Sequence, residues 1–375
     1  MPGLLPEVDP DGLLEYSVVY TDRAVNHMSA QFCGVMNDIA RILRTTYRSA
    51  AEIIVPGGGT YAMEAVARQY ATDANCLVIR NGWFSFRWTQ ILDKGSIART
   101  TRVLKARRTG SGTTAPFVPV PIDEVIQAIN EDKPDLVFAP HVETSAGLML
   151  PDDYLRKVSE AVHVNGGLFV LDCIASGAIW IDMQEVGVDV LISAPQKGWS
   201  GSPCAGFVML SPHALDRLGK TASTSFACDL AKWHEIMQAY ENGAHAYHAT
   251  MPTDALRACR DVMAEAEAHG LDALKSSQQD LGDRVRMLLG ERGFGSVAAP
   301  GYEAPGVVVC YTADPDIANG RKFAEAGMQI AAGVPLRCDE GDDFRTFRLG
   351  LFGLDKLLDV DRTVATLDTT LKQIL

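Results

Sequence analysis

The chain has 375 residues, of which 47% are hydrophobic and 22% charged, and its formal net charge is −13 with a pI near 5.1. This composition is that of a globular protein with a large core and more than one lobe. Nucleic acids and anionic membranes need clustered Lys and Arg, so the acidic balance argues against both as partners. No apolar run approaches the roughly 20 residues of a membrane span, and the N-terminus does not resemble a signal peptide, so we expect a cytoplasmic protein.

The eight cysteines are scattered along the chain, with no C-x-x-C pair. This distribution is typical of reduced, mostly buried thiols rather than of disulfides or a zinc site. The histidines show no H-E-x-x-H pattern. We therefore expect no metal in the mechanism.

Short apolar runs alternate with helical patterns over the first two thirds of the chain. In chain order the runs are AEIIVPGGGT, NCLVIRNG, DLVFAPHVETSAG, GLFVLDCIAS and VDVLISAPQKG, and YAMEAVARQYA after the first has helical spacing. Continuous apolar strands separated by helices indicate a parallel sheet covered on both faces.

From about Asp254 the pattern changes to a long helical tract, followed by the short strands GVVVCYT and TFRLGLFG. This order indicates a smaller α+β domain. The predicted division is a large domain over residues 15–253 and a small domain over residues 254–375. We expect residues 1–14 to pack on the small domain or on a partner subunit.

Five predicted strands end in chemically notable residues, and ligands of open parallel sheets bind beyond the carboxyl ends of the strands. PGGGTYAME puts glycines at a turn into a helix, where N–H groups bind anions, and NGWFSFRW offers aromatic rings for stacking. HVETSAG supplies a hydroxyl group. Asp172 follows an apolar run, where a carboxylate is costly without a cation or donors, and Lys197 follows another run 25 residues later.

One ligand would use all five strand ends. Pyridoxal 5'-phosphate (PLP) has a phosphate for a helix N-terminus, a ring for stacking, a ring nitrogen for a carboxylate and an aldehyde for an amine. A lysine close to its cationic ring can have a lowered pKa and serve as nucleophile and proton carrier. The residues therefore predict PLP as the cofactor.

The segment FVLDCIASGAIWIDMQEVGVDVLISAPQKGWSGSPCAGFVML resembles the cofactor segment of the class V aminotransferases, and most of all their alanine/serine–glyoxylate branch. The resemblance extends from about residue 50 to the C-terminus. It implies the fold-type I architecture of PLP-dependent transferases, in which helices cover a mostly parallel sheet and a smaller α+β domain follows. It also implies a ping-pong transaminase that moves an amino group from an alanine- or serine-like amino acid to a small 2-oxo acid such as glyoxylate or pyruvate.

The resemblance implies a role for individual residues of the large domain. Lys197 would form the Schiff base with the cofactor, and Asp172 would pair with the pyridine nitrogen. The stacking aromatic falls on Phe84, with Trp83, one residue earlier, as the alternative register. The remaining cofactor contacts would be Gly58, Gly59, Thr60 and Gln196 at the phosphate, Thr144 at the phenolic oxygen, and Ile174.

Two further segments extend the resemblance beyond one large domain. In AYHATMP, Tyr247 and Thr250 would reach the phosphate of the neighbouring subunit, which implies a homodimer with shared active sites. In TFRLGLFG, Arg348 would bind the substrate carboxylate, which an arginine fork can hold bidentately. The N-terminal LLEYSVVYTDRAVNHMS departs from the P-G-P-type segment of this branch, so the donor and the acceptor stay open.

Two alternatives to a transaminase remain at this point. The first is a PLP-dependent lyase such as a cysteine desulfurase, with Cys338, ten residues before Arg348, as the attacking thiol. Desulfurases usually have a histidine before the Schiff-base lysine, whereas Gln196 precedes Lys197 here. The second is a non-catalytic α/β binding module, for which no nucleotide fingerprint is present.

Overall fold

The structure is a computed structural model, and it describes residues 8–375. Within these residues the helices, in chain order, are α1 (Ala30–Tyr47), α2 (Gly59–Tyr70), α3 (Trp83–Lys94), α4 (Ile122–Asp132), α5 (Asp152–Val164), α6 (Met183–Val186), α7 (Pro212–Leu218), α8 (Leu230–Glu241), α9 (Thr253–His269), α10 (Leu271–Glu291), α11 (Pro315–Ala318), α12 (Arg321–Glu325), α13 (Leu354–Leu357) and α14 (Val360–Ile374). The strands are β1 (Ala51–Pro56), β2 (Asn75–Arg80), β3 (Thr100–Lys105), β4 (Arg107–Arg108), β5 (Phe117–Val118), β6 (Leu136–Pro140), β7 (Val142–Glu143), β8 (Leu148–Met149), β9 (Leu168–Asp172), β10 (Val190–Ser193), β11 (Ala205–Leu210), β12 (Val307–Tyr311), β13 (Ala331–Ala332) and β14 (Thr346–Gly350).

A seven-stranded sheet with the order β1-β11-β10-β9-β6-β2-β3 forms the centre of the larger unit. The pairs from β10 to β3 are parallel, whereas β11 is antiparallel to both of its neighbours, β1 and β10. The inner strands β6, β9, β10 and β11 are buried along their whole length, which explains their continuous apolar sequences. The predicted α/β class with a mostly parallel sheet is confirmed.

Two strands of this sheet were not predicted. β3, with the sequence TTRVLK, is a half-exposed edge strand, and its polar residues hide it from a search for apolar runs. β11, with the sequence AGFVML, returns from the lysine loop and inserts between β1 and β10. The apolar sequence of β11 does not indicate that this strand is antiparallel to its neighbours.

The strand register brings the predicted site segments to one edge of the sheet. Asp172, the last residue of β9, pairs with Pro140 of β6 on one side and with Ile192 of β10 on the other. The segments that follow these strands therefore begin side by side. β1 is separated from β10 by β11 and runs in the same direction as β10. Its glycine turn therefore lies at the same edge of the sheet.

The smaller unit contains the three-stranded antiparallel sheet β12-β14-β13, which packs against α10, and α10 packs in turn against α14. The two predicted strands match β12 and β14. The predicted long helical tract divides at Gly270, whose φ of +91° ends α9 before α10 begins. Leu256 and Met263 of α9 pack in the core of the larger unit, whereas Ala266 packs in the core of the smaller one, so this helix joins the two cores.

The first seven residues of the segment 1–14 lie outside the described residues. At Val8 the backbone carbonyl accepts a hydrogen bond of 2.7 Å from Arg257 Nη1, and the side chain packs in the core of the larger unit. Leu13 and Tyr16 are exposed. None of the helices in residues 8–375 combines the length and the hydrophobicity needed to cross a bilayer.

Candidate active site

A cavity of about 270 Å³ lies at the carboxyl edge of the central sheet. It contains all of the cofactor residues predicted in the large domain apart from the partner-reaching pair. Its lining residues are Gly58, Gly59, Thr60, Tyr61, Met63, Phe84, Arg87, Val142, Thr144, Asp172, Ile174, Ala175, Gln196 and Lys197. The segments after β1, β2, β6, β9 and β10 thus converge on one volume.

Close backbone approaches hold these segments together. A Cβ on Gly198, directly after the lysine, would lie 2.1 Å from the carbonyl oxygen of Gly177, so only glycine lets the loops after β9 and β10 pack this tightly. A Cβ on Gly59 would lie 2.5 Å from Ile174 Cδ1. Ile174, predicted as a cofactor contact, therefore packs on the turn into α2 and forms part of the cavity wall.

Asp172 is a buried carboxylate at the end of β9, with 7% of its surface exposed. Its Oδ1 accepts a hydrogen bond of 2.9 Å from the backbone N–H of Ile174. Burial raises the pKa of Asp172 to about 7, and this hydrogen bond only partly opposes the shift. The site therefore favours the charged form only when a cation or donor faces this carboxylate.

Lys197 is half-buried in the loop after β10, and its Nζ lies 5.0 Å from the ring centre of Phe352. Burial lowers the pKa of Lys197, and the positive charge of Arg348 lowers it further. A lysine with a lowered pKa has more of the neutral amine that can act as nucleophile.

The N-terminus of α2 borders the same cavity. Gly58 is the cap residue and the first turn contains no acidic side chain, so nothing there opposes the binding of an anion. A Cβ on Gly58 would meet no atom within 4 Å, which leaves open space at this end. Arg87, which sequence reasoning missed, adds a positive charge here. Its Nη1 donates a hydrogen bond of 2.8 Å to Thr60 Oγ1, which places the guanidinium at the start of α2.

Phe84 lies on the cavity wall, whereas Trp83 does not line it. The guanidinium of Arg87 lies 5.3 Å from the ring centre of Phe84, and that of Arg348 lies 5.6 Å from it. Arg87 follows Phe84 by three residues in α3, and this helical spacing is the signal that would have identified it.

Glu143 is a second residue that sequence reasoning missed. It is fully buried in the hairpin of β7 and β8, and it accepts hydrogen bonds from the backbone N–H groups of Phe84, Ser85 and Ser145 and from both serine hydroxyls. Its negative charge lies at the N-terminus of α3, where the helix dipole stabilises it. Glu143 therefore holds the start of α3, with Phe84, against the segment that carries Thr144. A carboxylate inside HVETSAG, directly after a buried strand, was the available signal.

Arg348, in β14, lies beside the cavity rather than on its lining. It pairs with Ala331 of β13, and its Nε donates a hydrogen bond of 2.8 Å to the carbonyl oxygen of Ala332. Burial lowers its pKa. Its contact with Phe84 and its charge effect on Lys197 place the guanidinium next to both groups.

Tyr247 and Thr250 lie away from the cavity of their own chain. The Tyr247 hydroxyl and Thr250 Oγ1 are 3.0 Å apart, and the tyrosine ring lies 5.6 Å from the ring of His27. Both side chains are exposed. Neither residue lines the cavity that contains Lys197.

PLP fits the residues that are present. The open space at Gly58 and the guanidinium of Arg87 suit a phosphate, and Phe84 offers a ring face for stacking. Asp172 is a buried carboxylate that forms no ion pair within residues 8–375, which suits a protonated pyridine nitrogen. Gln196 also lines the cavity, and its buried Oε1 has no hydrogen-bond partner among the described residues.

Cys338, the thiol considered for a desulfurase, is buried and does not line this cavity. Its Sγ donates a weak hydrogen bond of 3.5 Å to the carbonyl oxygen of Arg80. Burial raises its pKa to about 12. A thiol in this environment is a poor nucleophile.

One group of potential metal ligands occurs among the described residues, formed by His163, Asp189 and His213. Asp189 precedes β10, so the group lies at the amino end of the strand whose carboxyl end leads to Lys197. Its carboxylate already accepts hydrogen bonds from the backbone N–H of Phe169 and from Ser211 Oγ. The group takes no part in the cavity.

Comparisons with known proteins agree with this geometry. The profile of the family described as Aminotransferase class-V matches residues 13–333. The soluble hydrogenase small subunit of Synechococcus sp. is 24% identical over 93% of this chain and 88% of its own length, and the 2-aminoethylphosphonate–pyruvate transaminase of Paraburkholderia phymatum is 29% identical over 93% and 89%. The crystal structure of the alanine–glyoxylate aminotransferase of Nostoc sp. superposes with a TM-score of 0.77, at 22% identity, over 93% of this chain and 89% of that one.

The mostly parallel sheet, together with a lysine, a buried aspartate and a helix N-terminus at its carboxyl edge, defines a PLP-dependent enzyme of fold type I. The chain belongs to the class V aminotransferase family. The predicted cofactor, fold and enzyme class are thereby confirmed.

Proposed function

We propose that this enzyme transfers an amino group from a small alanine- or serine-like amino acid to a small 2-oxo acid such as glyoxylate or pyruvate. The observation that carries the proposal is the convergence of Lys197, Asp172 and the N-terminus of α2 on one cavity, with Arg348 beside it. Relatives named as pyruvate and glyoxylate transaminases support the choice of acceptor. We propose the residue roles below on the same basis.

The residues of this chain would divide the reaction between them. When bound, PLP supplies an electron sink for the negative charge that develops at the substrate α-carbon. Arg348 would hold the substrate carboxylate, and Lys197 would take the α-proton and deliver it to the former aldehyde carbon of the cofactor. Asp172 would keep a proton on the ring nitrogen, because a buried carboxylate pairs strongly with a cation.

The phosphate would be held at the start of α2. Gly58, Gly59 and Thr60 present a helix N-terminus, and Gln196 borders the same cavity. Phe84 would stack on the ring, while Thr144 and Ile174 would contact the ring on their side of the cavity. These contacts would orient the cofactor toward Lys197.

We further propose a homodimer with shared active sites. Tyr247 and Thr250 lie away from their own cavity and remain exposed, as residues that serve the partner subunit would. The exposed aromatic side chains of Tyr61, which lines the cavity, and of Phe226, beside His248, support a subunit interface. The division into domains at residues 253 and 254 belongs to the proposal, as does a cytoplasmic location, which the eight free thiols support.

The test is a panel of amino donors offered with glyoxylate or pyruvate, with the new oxo acid as the readout. Wild-type protein and the surface control Lys220→Ala should turn over at least one pair, whereas Lys197→Ala should lose activity by about 10³-fold or more. Borohydride reduction and peptide mapping should leave a reduced cofactor adduct on Lys197. Normal turnover in Lys197→Ala, or no transfer with any pair, would contradict the proposal.

A further inference from the structure

A second cavity, of about 880 Å³, lies between the end of β2, the first turns of α3 and the segment that joins β13 to β14. Nothing in the reaction described above uses it. Its positively charged lining residues are Arg80, Lys105, Arg337 and Arg345.

Arg80 is a buried cation in this cavity, with 8% of its surface exposed. Its Nη2 donates a hydrogen bond of 2.8 Å to Thr89 Oγ1, and its Nη1 donates one of 3.3 Å to the carbonyl oxygen of Arg337. Its Nε has no partner among the described residues, and no described carboxylate forms an ion pair with it. A buried guanidinium without an anion is costly, so this arrangement calls for a negatively charged ligand.

Arg337, an exposed residue of the same cavity lining, brings a second guanidinium near the ring of Phe86. Its Cζ lies 6.0 Å from the ring centre of Phe86, whose ring also lies 4.6 Å from Arg80 Cζ. Two like charges near one ring repel each other, and a bound anion close to both would offset this repulsion. Arg337 forms no ion pair with any described carboxylate either, and an arginine pair of this kind suits carboxylate, phosphonate or phosphate oxygens.

The described acidic residues of the cavity form no ion pair with these two arginines. Asp339 pairs with Lys105 at 2.8 Å. The carboxylate of Glu340 accepts hydrogen bonds from three backbone N–H groups of its own loop. Asp342 is exposed at the edge of the cavity and forms no ion pair with either arginine. Both guanidinium groups can therefore bind an anionic ligand.

The second cavity adjoins the active site through two neighbouring rings. Trp83 lies 5.4 Å from Arg337 Cζ, and the next residue, Phe84, lies 5.6 Å from Arg348 Cζ. Ala332 lines the second cavity, while its carbonyl oxygen accepts the hydrogen bond from Arg348. Ala332 therefore links the second cavity to Arg348, and a substrate held at Arg348 would lie next to a residue of this anion site.

We propose that Arg80 and Arg337 bind a second, distal anionic group of the substrate, so that the preferred donor or acceptor is an acid with an additional carboxylate, phosphonate or phosphate. This inference rests on the proposed transaminase function and revises one of its two substrates, because alanine, serine, glyoxylate and pyruvate have no second anionic group. It also makes the second cavity part of the substrate site.

The test compares competitive inhibitors of the wild-type holoenzyme in the reaction of whichever amino donor it accepts. The probes are straight-chain monocarboxylates, α,ω-dicarboxylates of three to six carbons, 3-phosphonopropionate and inorganic phosphate. At one chain length the dianion should bind at least tenfold more tightly than the monocarboxylate of the same length. Inorganic phosphate should compete with that dianion but not with the monocarboxylate.

The variant Arg337→Gln should reduce the preference for the dianion to within twofold and leave monocarboxylate binding unchanged. Arg321→Gln, at an exposed ion pair with Asp316, is the matched control and should keep the preference. Arg80→Lys provides a second measurement, with its thermal unfolding transition as the check on folding. Equal binding of the two inhibitor types by wild-type enzyme, or an unchanged preference in Arg337→Gln, would overturn the inference. Neither result affects the proposed function, which is tested separately by transamination in wild-type protein and in Lys197→Ala.

Discussion

Glu143 Oε2 lies 2.7 Å from Ser85 Oγ, and this hydrogen bond joins the hairpin after β6 to the start of α3. Gly82, just before α3, allows the approach, because a Cβ there would lie 2.1 Å from Ser145 Oγ and 2.7 Å from Glu143 Cγ. The position of Phe84 on the cavity wall thus depends on a carboxylate that does not itself line the cavity.

The variant Glu143→Gln should weaken the binding of PLP by about tenfold or more and lower the free energy of unfolding. Its amide would place a donor against the N–H groups of α3, and an unsatisfied buried donor costs about 1–3 kcal/mol. Cofactor titration and urea unfolding of the cofactor-free protein measure the two effects. Exposed Glu160→Gln should change neither, and wild-type values in Glu143→Gln would contradict this role.

The variant Arg87→Gln should weaken the binding of PLP by about tenfold and leave the binding of unphosphorylated pyridoxal nearly unchanged. The reason is that Arg87, next to Thr60, would meet the phosphate, and hydrogen bonds to charged groups contribute about 1.5–3 kcal/mol. Equilibrium titration with both compounds measures the difference, with Arg99→Gln as the control. An equal loss for both compounds would show that Arg87 acts on the ring or on the fold.

In the cofactor-free protein, the contribution of Asp172 to the free energy of unfolding should fall as the pH rises from about 4 to 7. The folded carboxyl keeps its proton up to a pKa of about 7, whereas an unfolded aspartate loses it near its usual pKa of 3.8. The unfolded state therefore becomes more stable relative to the folded state across this interval. Asp172→Asn should remove this slope, measured as the difference in melting temperature from wild type at each pH. Asp22→Asn, at an exposed position, should retain it, and parallel curves for wild type and Asp172→Asn would contradict the buried titration.

Shared active sites predict complementation between two inactive variants. One variant carries Lys197→Ala, and the other carries Tyr247→Phe together with Thr250→Val. A mixed dimer contains one site with an intact lysine and intact partner residues, so refolding an equimolar mixture should restore activity well above that of either variant alone. If the mixture shows only the mean of the two separate activities, Tyr247 and Thr250 serve their own chain or no site at all.

Local patterns were sufficient to predict much of the site. Lys197, Asp172 and the glycines at Gly58 and Gly59 each follow an apolar run, and a chain that alternates strands with helices must bring such ends to one edge of a parallel sheet. The structure places them on one cavity, as the sequence predicted. The strands β12 and β14 were recognisable for a similar reason, because each has apolar residues within a short segment.

The sequence by itself therefore determined the fold class, the cofactor and the segments that meet at the cavity, because apolar periodicity and residue type can be recognised over a few neighbouring positions. Only the tertiary structure decided that Glu143 would cap α3, that Arg87 would reach Thr60, and that Arg80 and Arg337 would share the ring of Phe86. Arg80 and Arg337 are 257 residues apart in the chain. Such contacts depend on strand register, on the closeness of loops at glycines and on which groups burial leaves without partners, and none of these is present in a local pattern.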